Sequence, residues 1–198
     1  GSEMCKETAF APNGHYAYLI NELSGTVIAF EYNDGNLKEI QTIAADTAGA
    51  KGSGDIHISP DGKFLYASNR LKADGIAIFS IHPENGMLTK AGYQLTGIHP
   101  RNFIITPNGK YLLVACRDSN MIQVYKRDAD TGLLTDIHQN IKVDKPVCVK
   151  FIRETISYRL LHEHLLPAAL NKPGKVMLYK GKTSFSPYAN LSFIGYKL

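Results

Sequence analysis

One twelve-residue pattern occurs three times, at residues 11–22, 59–70 and 106–117, and it constrains the fold more than any other property of the chain. Its clearest copy begins Ser59-Pro60-Asp61-Gly62 and continues Lys63-Phe64-Leu65-Tyr66-Ala67-Ser68-Asn69-Arg70. Pro60 presets φ and Asp61-Gly62 supplies a tight turn. The residues after the turn favour a β-strand. The marker prolines Pro12, Pro60 and Pro107 are 48 and 47 residues apart. A second β run follows each copy, at residues 26–32, 75–81 and 121–125. A glycine turn comes next (Gly35, Gly86, Gly132), and then a more polar run suited to an outer strand. With the short strand before each proline, each unit has four antiparallel strands. Four strands in roughly 40–50 residues is a propeller blade.

The expected fold is therefore all-β: three four-stranded antiparallel blades at about residues 1–46, 52–96 and 97–143. A fourth unit starts at 144–152, where Lys145-Pro146-Val147-Cys148 parallels His99-Pro100-Arg101-Asn102, but no Pro-Asp-Gly turn follows. Residues 153–198 lose the pattern and read as a C-terminal extension, either foreign to the fold or loosely packed on it. Within it, residues 155–166 read as a short helix, and residues 175–179 and 191–197 as strands. His162 and His164, two apart, would point away from each other on a helix and read as surface histidines. Closed propellers have about 4–8 blades, so three blades suggest a part of a larger ring, or one that self-associates through exposed blade faces.

Charge and cysteine content narrow the function classes. The chain carries a formal net charge of +4, but residues 1–152 hold 15 Lys+Arg against 16 Asp+Glu, and residues 153–198 hold 7 against 2. The repeats give no reason to expect nucleic acid as a partner. No apolar run approaches the ~18–20 residues of a membrane span, so no membrane partner is expected. Cys5, Cys116 and Cys148 are few, odd in number and widely spaced. That argues against a disulfide framework or a zinc site, and the expected compartment is the reducing cytoplasm.

The repeat register locates candidate site residues. Ten positions after each proline stand Glu22, Arg70 and Arg117; six before it stand Lys6, Gly54 and Arg101. The start of the first strand and the end of the second lie at the same end of an antiparallel pair. Lys6, Glu22, Arg70, Arg101 and Arg117 should therefore meet at one rim, near the blade axis. A strand end is often charged simply because it meets water, but the coincidence in three repeats lifts the group above that. Four cations around one carboxylate suit a small anion, and the carboxylate can serve as general base or acid. His57 and His99 lie nearby, and His57, on an inner strand, reads first as a satisfied structural histidine. No metal site, P-loop, dinucleotide fingerprint or Ser-His-Asp arrangement is readable.

These residues carry a resemblance. Phe10-Ala11-Pro12-Asn13-Gly14 with Tyr18-Leu19-Ile20-Asn21-Glu22, the 58–70 segment, and Gly97-Ile98-His99-Pro100-Arg101-Asn102-Phe103 with Tyr111-Leu112-Leu113-Val114-Ala115 resemble, in that order, the last three blades of the seven-bladed propeller lactonases. That family includes bacterial 6-phosphogluconolactonase and the fungal carboxymuconate cyclase. The resemblance covers about residues 8–152. It implies hydrolysis of a small anionic sugar lactone in the pentose phosphate route, with a carboxymuconate-type cycloisomerase or a non-catalytic binding module as alternatives. It implies no metal or organic cofactor. Asn21-Glu22 and Pro100-Arg101-Asn102-Phe103 match two cleft segments of the family, so Glu22 and Arg101 take the catalytic roles by resemblance. Lys6, Arg70, Arg117 and His57 would bind substrate. Cys5-Lys6-Glu7 stands where the family has Pro-Arg-His, and a family histidine from an earlier blade has no counterpart here.

Overall fold

The computed structural model of the protein describes residues 5–152, 177–180 and 193–195. The three copies of the turn fold alike. The backbone N–H groups of Ala11, Ser59 and Thr106 each donate to the carbonyl five residues on, in Tyr16, Phe64 and Tyr111, all at 2.8 Å. The turn glycines Gly14, Gly62 and Gly109 adopt φ of 75°, 72° and 70°, a left-handed conformation that glycine reaches without steric penalty. In the second and third copies the Ser59 and Thr106 hydroxyls also accept from the N–H of Phe64 and Tyr111, both at 3.0 Å.

Each turn joins the first two strands of a sheet. The first sheet comprises β1 (Cys5–Phe10), β2 (Tyr16–Asn21), β3 (Thr26–Asn33) and β4 (Asn36–Ala44). The second comprises β5 (Ser53–Ile58), β6 (Phe64–Asn69), β7 (Gly75–Ile81) and β8 (Leu88–Leu95). Both are antiparallel meanders in chain order. The third contains β9 (Pro100–Ile105), β10 (Tyr111–Cys116), β11 (Met121–Arg127), β12 (Leu134–Asp136) and β13 (Ile141–Lys142). It departs from the expected four strands. Its outer strand is split into β12 and β13, which both pair with β11. The break falls where His138 takes a positive φ of 56°, a conformation incompatible with continuing a ladder.

The sheets stack face to face. Tyr18, Ile20, Val27 and Ala29 of the first pack on Ile56, Leu65, Ala67 and Phe79 of the second. Phe64, Tyr66, Ile76 and Ile78, on the opposite face of the second, pack on Phe103, Ile105, Leu112 and Val114 of the third. Strand β6 is buried along its whole length because both of its faces are covered. Equivalent tyrosines tie each sheet to the next: Tyr18 donates its hydroxyl to the Gly86 carbonyl and Tyr66 to that of Gly132, both at 2.8 Å. Burial pushes the Tyr66 phenol up to about 12. These are propeller blades, with β1, β5 and β9 as neighbouring inner strands.

Strand β14 (Val149–Ile152) lies beyond β9 as the next inner strand, and its Val149 N–H donates to Asn102 Oδ1 at 2.8 Å. It pairs in parallel with β15 (Met177–Lys180), which pairs antiparallel with β16 (Phe193–Gly195). A parallel pair has no place in a blade meander, so these strands are not a fourth blade of the same kind. The expected helix at 155–166, with His162 and His164, lies outside the described residues. Among the described residues, no helix is long and apolar enough to cross a membrane.

Candidate functional site

The three inner strands share an irregularity at the same place. Pairing of β1 with β2 steps from Cys5–Asn21 to Glu7–Ile20, leaving Lys6 as an extra residue. Pairing of β9 with β10 steps from Pro100–Cys116 to Asn102–Ala115, leaving Arg101 extra. Between β5 and β6 the extra residue falls at Gly54–Asp55. A β-bulge unpairs one residue and re-aims its side chain. Each blade thus begins with a bulge that turns position six before the proline away from the regular pleat, next to the end of its second strand.

Gly54 shows how closely the blades approach there. A Cβ at this position would stand 2.8 Å from Ser68 Oγ, 3.4 Å from the Arg101 carbonyl oxygen and 3.5 Å from Arg70 Nε. A side chain in the middle blade would therefore press on two of the site residues.

Around this point the rim charges form a chain that crosses all three blades. Arg70, at the end of β6, is buried, and its side chain is 6% exposed. Its Nε donates to the Gly52 carbonyl at 2.8 Å, and its Nη2 to the Ser53 carbonyl at 3.1 Å and to Glu22 Oε1 at 2.5 Å. Lys6 Nζ stands 4.0 Å from the other oxygen of Glu22. Arg70 Nη1 reaches His99 Nε2 at 3.3 Å. His99 Nδ1 faces Asp118 Oδ2 at 3.5 Å, and Asp118 takes a two-bond contact from Arg117 at 2.7 and 3.0 Å. Arg101 is exposed and makes no ion pair among the described residues.

Residues 6–151 match the family described as Lactonase, 7-bladed beta-propeller. The chain belongs to that family. Among curated relatives, a 6-phosphogluconolactonase of Formosa agariphila is 50% identical over 139 residues, which are 68% of this chain and 39% of the relative. A 6-phosphogluconolactonase of Bacillus subtilis is 36% identical over 156 residues, 75% of this chain and 44% of the relative. Among solved structures, a proposed 6-phosphogluconolactonase of Bacteroides fragilis is 72% identical, with a TM-score of 0.72, over 73% of this chain and 40% of the other. The periplasmic gluconolactonase of Pseudomonas aeruginosa is 32% identical, with a TM-score of 0.68, over 72% of this chain and 41% of the other. The chain therefore spans about two fifths of the length of these propeller lactonases.

The structure separates the six residues singled out from sequence. Lys6, Glu22 and Arg70 form one connected group, and Arg70 leads through His99 to Arg117. Arg101 is placed beside them by its bulge and by Gly54. His57 stands apart, four residues or about 13 Å along β5 from the Ser53 end. Its Nε2 lies 3.1 Å from Asp55 Oδ2 and its ring meets Phe103 edge-on at 4.8 Å. It lines a groove of about 390 Å³ along the inner strands with Glu7, Asn102 and Lys150. Asp55 is buried and also accepts from Asn102 Nδ2 at 2.5 Å and from the Phe103 N–H at 3.1 Å, so it ties the second blade to the third.

The sequence reading noted His99 only as a neighbour and passed over Asp118 and Asp55. The adjacency of Asp118 to Arg117 was a signal for the first pair. Nothing in the spacing signalled that His99 would bridge two blades. Burial, followed by the charges of Arg117 and Arg70, holds the His99 imidazole below its ordinary value.

Proposed function

We propose that this chain supplies the part of a lactone-hydrolysing cleft that carries a carboxylate and an open arginine, acting on a phosphorylated sugar lactone. The observation that carries the reading is the pairing of Glu22 with buried Arg70 while Arg101, beside them, stands exposed and without an ion pair among the described residues. An exposed arginine offers a planar two-bond contact to a carboxylate or phosphate, or to the oxyanion of a tetrahedral intermediate.

In this reading Arg101 polarises the lactone carbonyl or holds the substrate anion. Glu22 takes a proton from water as the water oxygen bonds to the carbonyl carbon. The ring C–O bond then breaks, and Glu22 returns the proton to the departing alkoxide. Arg70 keeps Glu22 in place. Lys6 adds positive field, as an ammonium where the family has an arginine. Arg117 contributes little net field, because Asp118 neutralises it. His57 can contact only a substrate that reaches down the inner groove. The relatives named 6-phosphogluconolactonase support the choice of substrate, and a cytoplasmic site of action stays a proposal beside a periplasmic relative.

The pairing of Glu22 with Arg70 and of Arg117 with Asp118 also favours a second reading, a propeller that binds an anion without turning it over. Hydrolysis of 6-phosphogluconolactone above its spontaneous rate, measured with these blades completed by the remaining blades of a relative, separates the two. Turnover that falls in Glu22→Gln supports the lactonase, whereas binding of 6-phosphogluconate with no turnover supports the binding module.

A further inference from the structure

We propose that His99 is a positioning residue of the rim, an unprotonated acceptor that holds one arm of the Arg70 guanidinium so that the other arm stays on Glu22. Its consequence for turnover rests on the lactonase reading; its geometry does not.

A guanidinium has only donors, so at 3.3 Å from Arg70 Nη1 the Nε2 atom of His99 must accept. The neutral ring then carries its proton on Nδ1, the atom that faces Asp118 Oδ2 at 3.5 Å. The charged groups around the ring are Arg70 from the end of β6, Arg117 and Asp118 from the turn after β10, Arg101 from β9, and Asp74 from the loop before β7, which accepts the His99 N–H at 3.2 Å. Three of these five are arginines. A proton on Nε2 would point at Arg70 Nη1, donor against donor, and would set a second cation against the guanidinium.

The loop is built to hold the ring there. His99 adopts a left-handed φ of 61°, uncommon for a residue with a Cβ. Three successive N–H groups are fixed by side-chain acceptors: Gly97 by Gln123 at 2.6 Å, Ile98 by Ser119 at 2.7 Å, and His99 by Asp74. The side chain of His99 is 12% exposed, so few alternative orientations are open to it. Strain fixed by surrounding structure is a mark of a positioned group. The depressed affinity of the ring for a proton agrees with this arrangement.

The test is side-chain NMR on the full chain, which needs no substrate. Long-range proton–nitrogen spectra should show His99 neutral at pH 7, protonated on Nδ1 and bare on Nε2, with a titration midpoint below 6.5. Exchange of the Arg70 Nε proton, which bonds Gly52, should speed by about tenfold relative to its intrinsic rate at each pH as pH falls through that midpoint, roughly the effect of losing one hydrogen bond. The same acceleration should appear at pH 7 in His99→Ala. In His99→Gln, whose amide oxygen can accept but not titrate, the acid-triggered acceleration should vanish. A proton on Nε2 at pH 7, a midpoint at or above 6.5, or an acid response preserved in His99→Gln would overturn the proposal. Where residues 5–152 are completed by the remaining blades of a relative and 6-phosphogluconolactone is turned over, the acid limb should follow the His99 midpoint and be lost in His99→Gln. Absence of turnover in a ring completed with the remaining blades of a relative would count against the lactonase reading and leave the NMR arms to decide the role of His99.

Discussion

Glu22 and Arg101 sit in opposite surroundings, and their substitutions should differ accordingly. Arg101 is exposed without an ion pair among the described residues, so Arg101→Ala should change stability by less than about 0.5 kcal/mol in a denaturant titration. In a ring completed with the remaining blades of a relative it should lower lactone turnover by about 10- to 100-fold, the worth of one charged contact. Glu22→Gln should lower turnover by about 10²-fold or more through loss of the proton carrier, and it should also lower stability, because buried Arg70 loses its only carboxylate partner among the described residues. His99 gives a pH signature with a definite sign. Its folded value lies below the ordinary 6.5, so between the two values the unfolded chain binds the proton and the folded chain does not. Stability should therefore fall as pH drops below about 6.5, and this slope should flatten in His99→Gln; an unchanged slope in pH-dependent chemical denaturation would contradict the assignment. At this scale the positions of the rim charges were legible from sequence, since strand register fixes which residues share an end. Their partners were not, because the His99 contact depends on a left-handed loop residue held by Asp74, Ser119 and Gln123 from other elements.

The bulges decide what a strand can present. Regular pairing would give Lys6 and Arg101 the ordinary pleat of an inner strand, and the extra residue releases them from it. The middle blade carries glycine at the equivalent bulge because the Arg101 backbone and Arg70 already occupy the space. Gly54→Val should consequently destabilise the chain by about 1–3 kcal/mol through overpacking and should disturb Arg70 first, read as loss of its protected Nε proton. Tolerance of valine with that proton unchanged would mean that the blades are not clamped at this point. The turns and the first three strands of each blade were legible because Pro, Asp or Asn, and Gly recur with β-favouring residues after them. The bulges were not, since a bulge leaves no compositional mark in Cys5-Lys6-Glu7 or Pro100-Arg101-Asn102. The split of the outer strand in the third blade was missed for a related reason: residues 134–142 lack the glycine or proline that marks the other breaks.

At the scale of the molecule, the middle blade is covered on both faces and the first on one. Both faces of β6 are covered, whereas on the first blade Leu19 lies opposite Ile28, and Ala17 opposite Phe30, on the face turned away from the second blade. Leu19, Ile28 and Phe30 there remain half-buried. A cleft with water on one side lacks the low dielectric that strengthens oxyanion stabilisation, and Lys6 cannot make the planar contact of an arginine. The 198-residue chain alone should therefore hydrolyse 6-phosphogluconolactone at or near the spontaneous rate. The period of 48 and 47 residues made the blade architecture readable from the start, while the blade-to-blade chain from Glu22 to Arg117 needed coordinates, because no sequence period encodes which loop leans on which neighbour. The most direct measurement of the central claim grafts residues 5–152 onto the remaining blades of the Formosa agariphila relative and follows 6-phosphogluconolactone hydrolysis against the spontaneous rate. The account predicts that the graft turns over, that Lys6→Arg raises its rate by about tenfold, and that Glu22→Gln and Arg101→Ala each remove most of it. A graft as active with both Glu22 and Arg101 replaced as with both present would contradict the account.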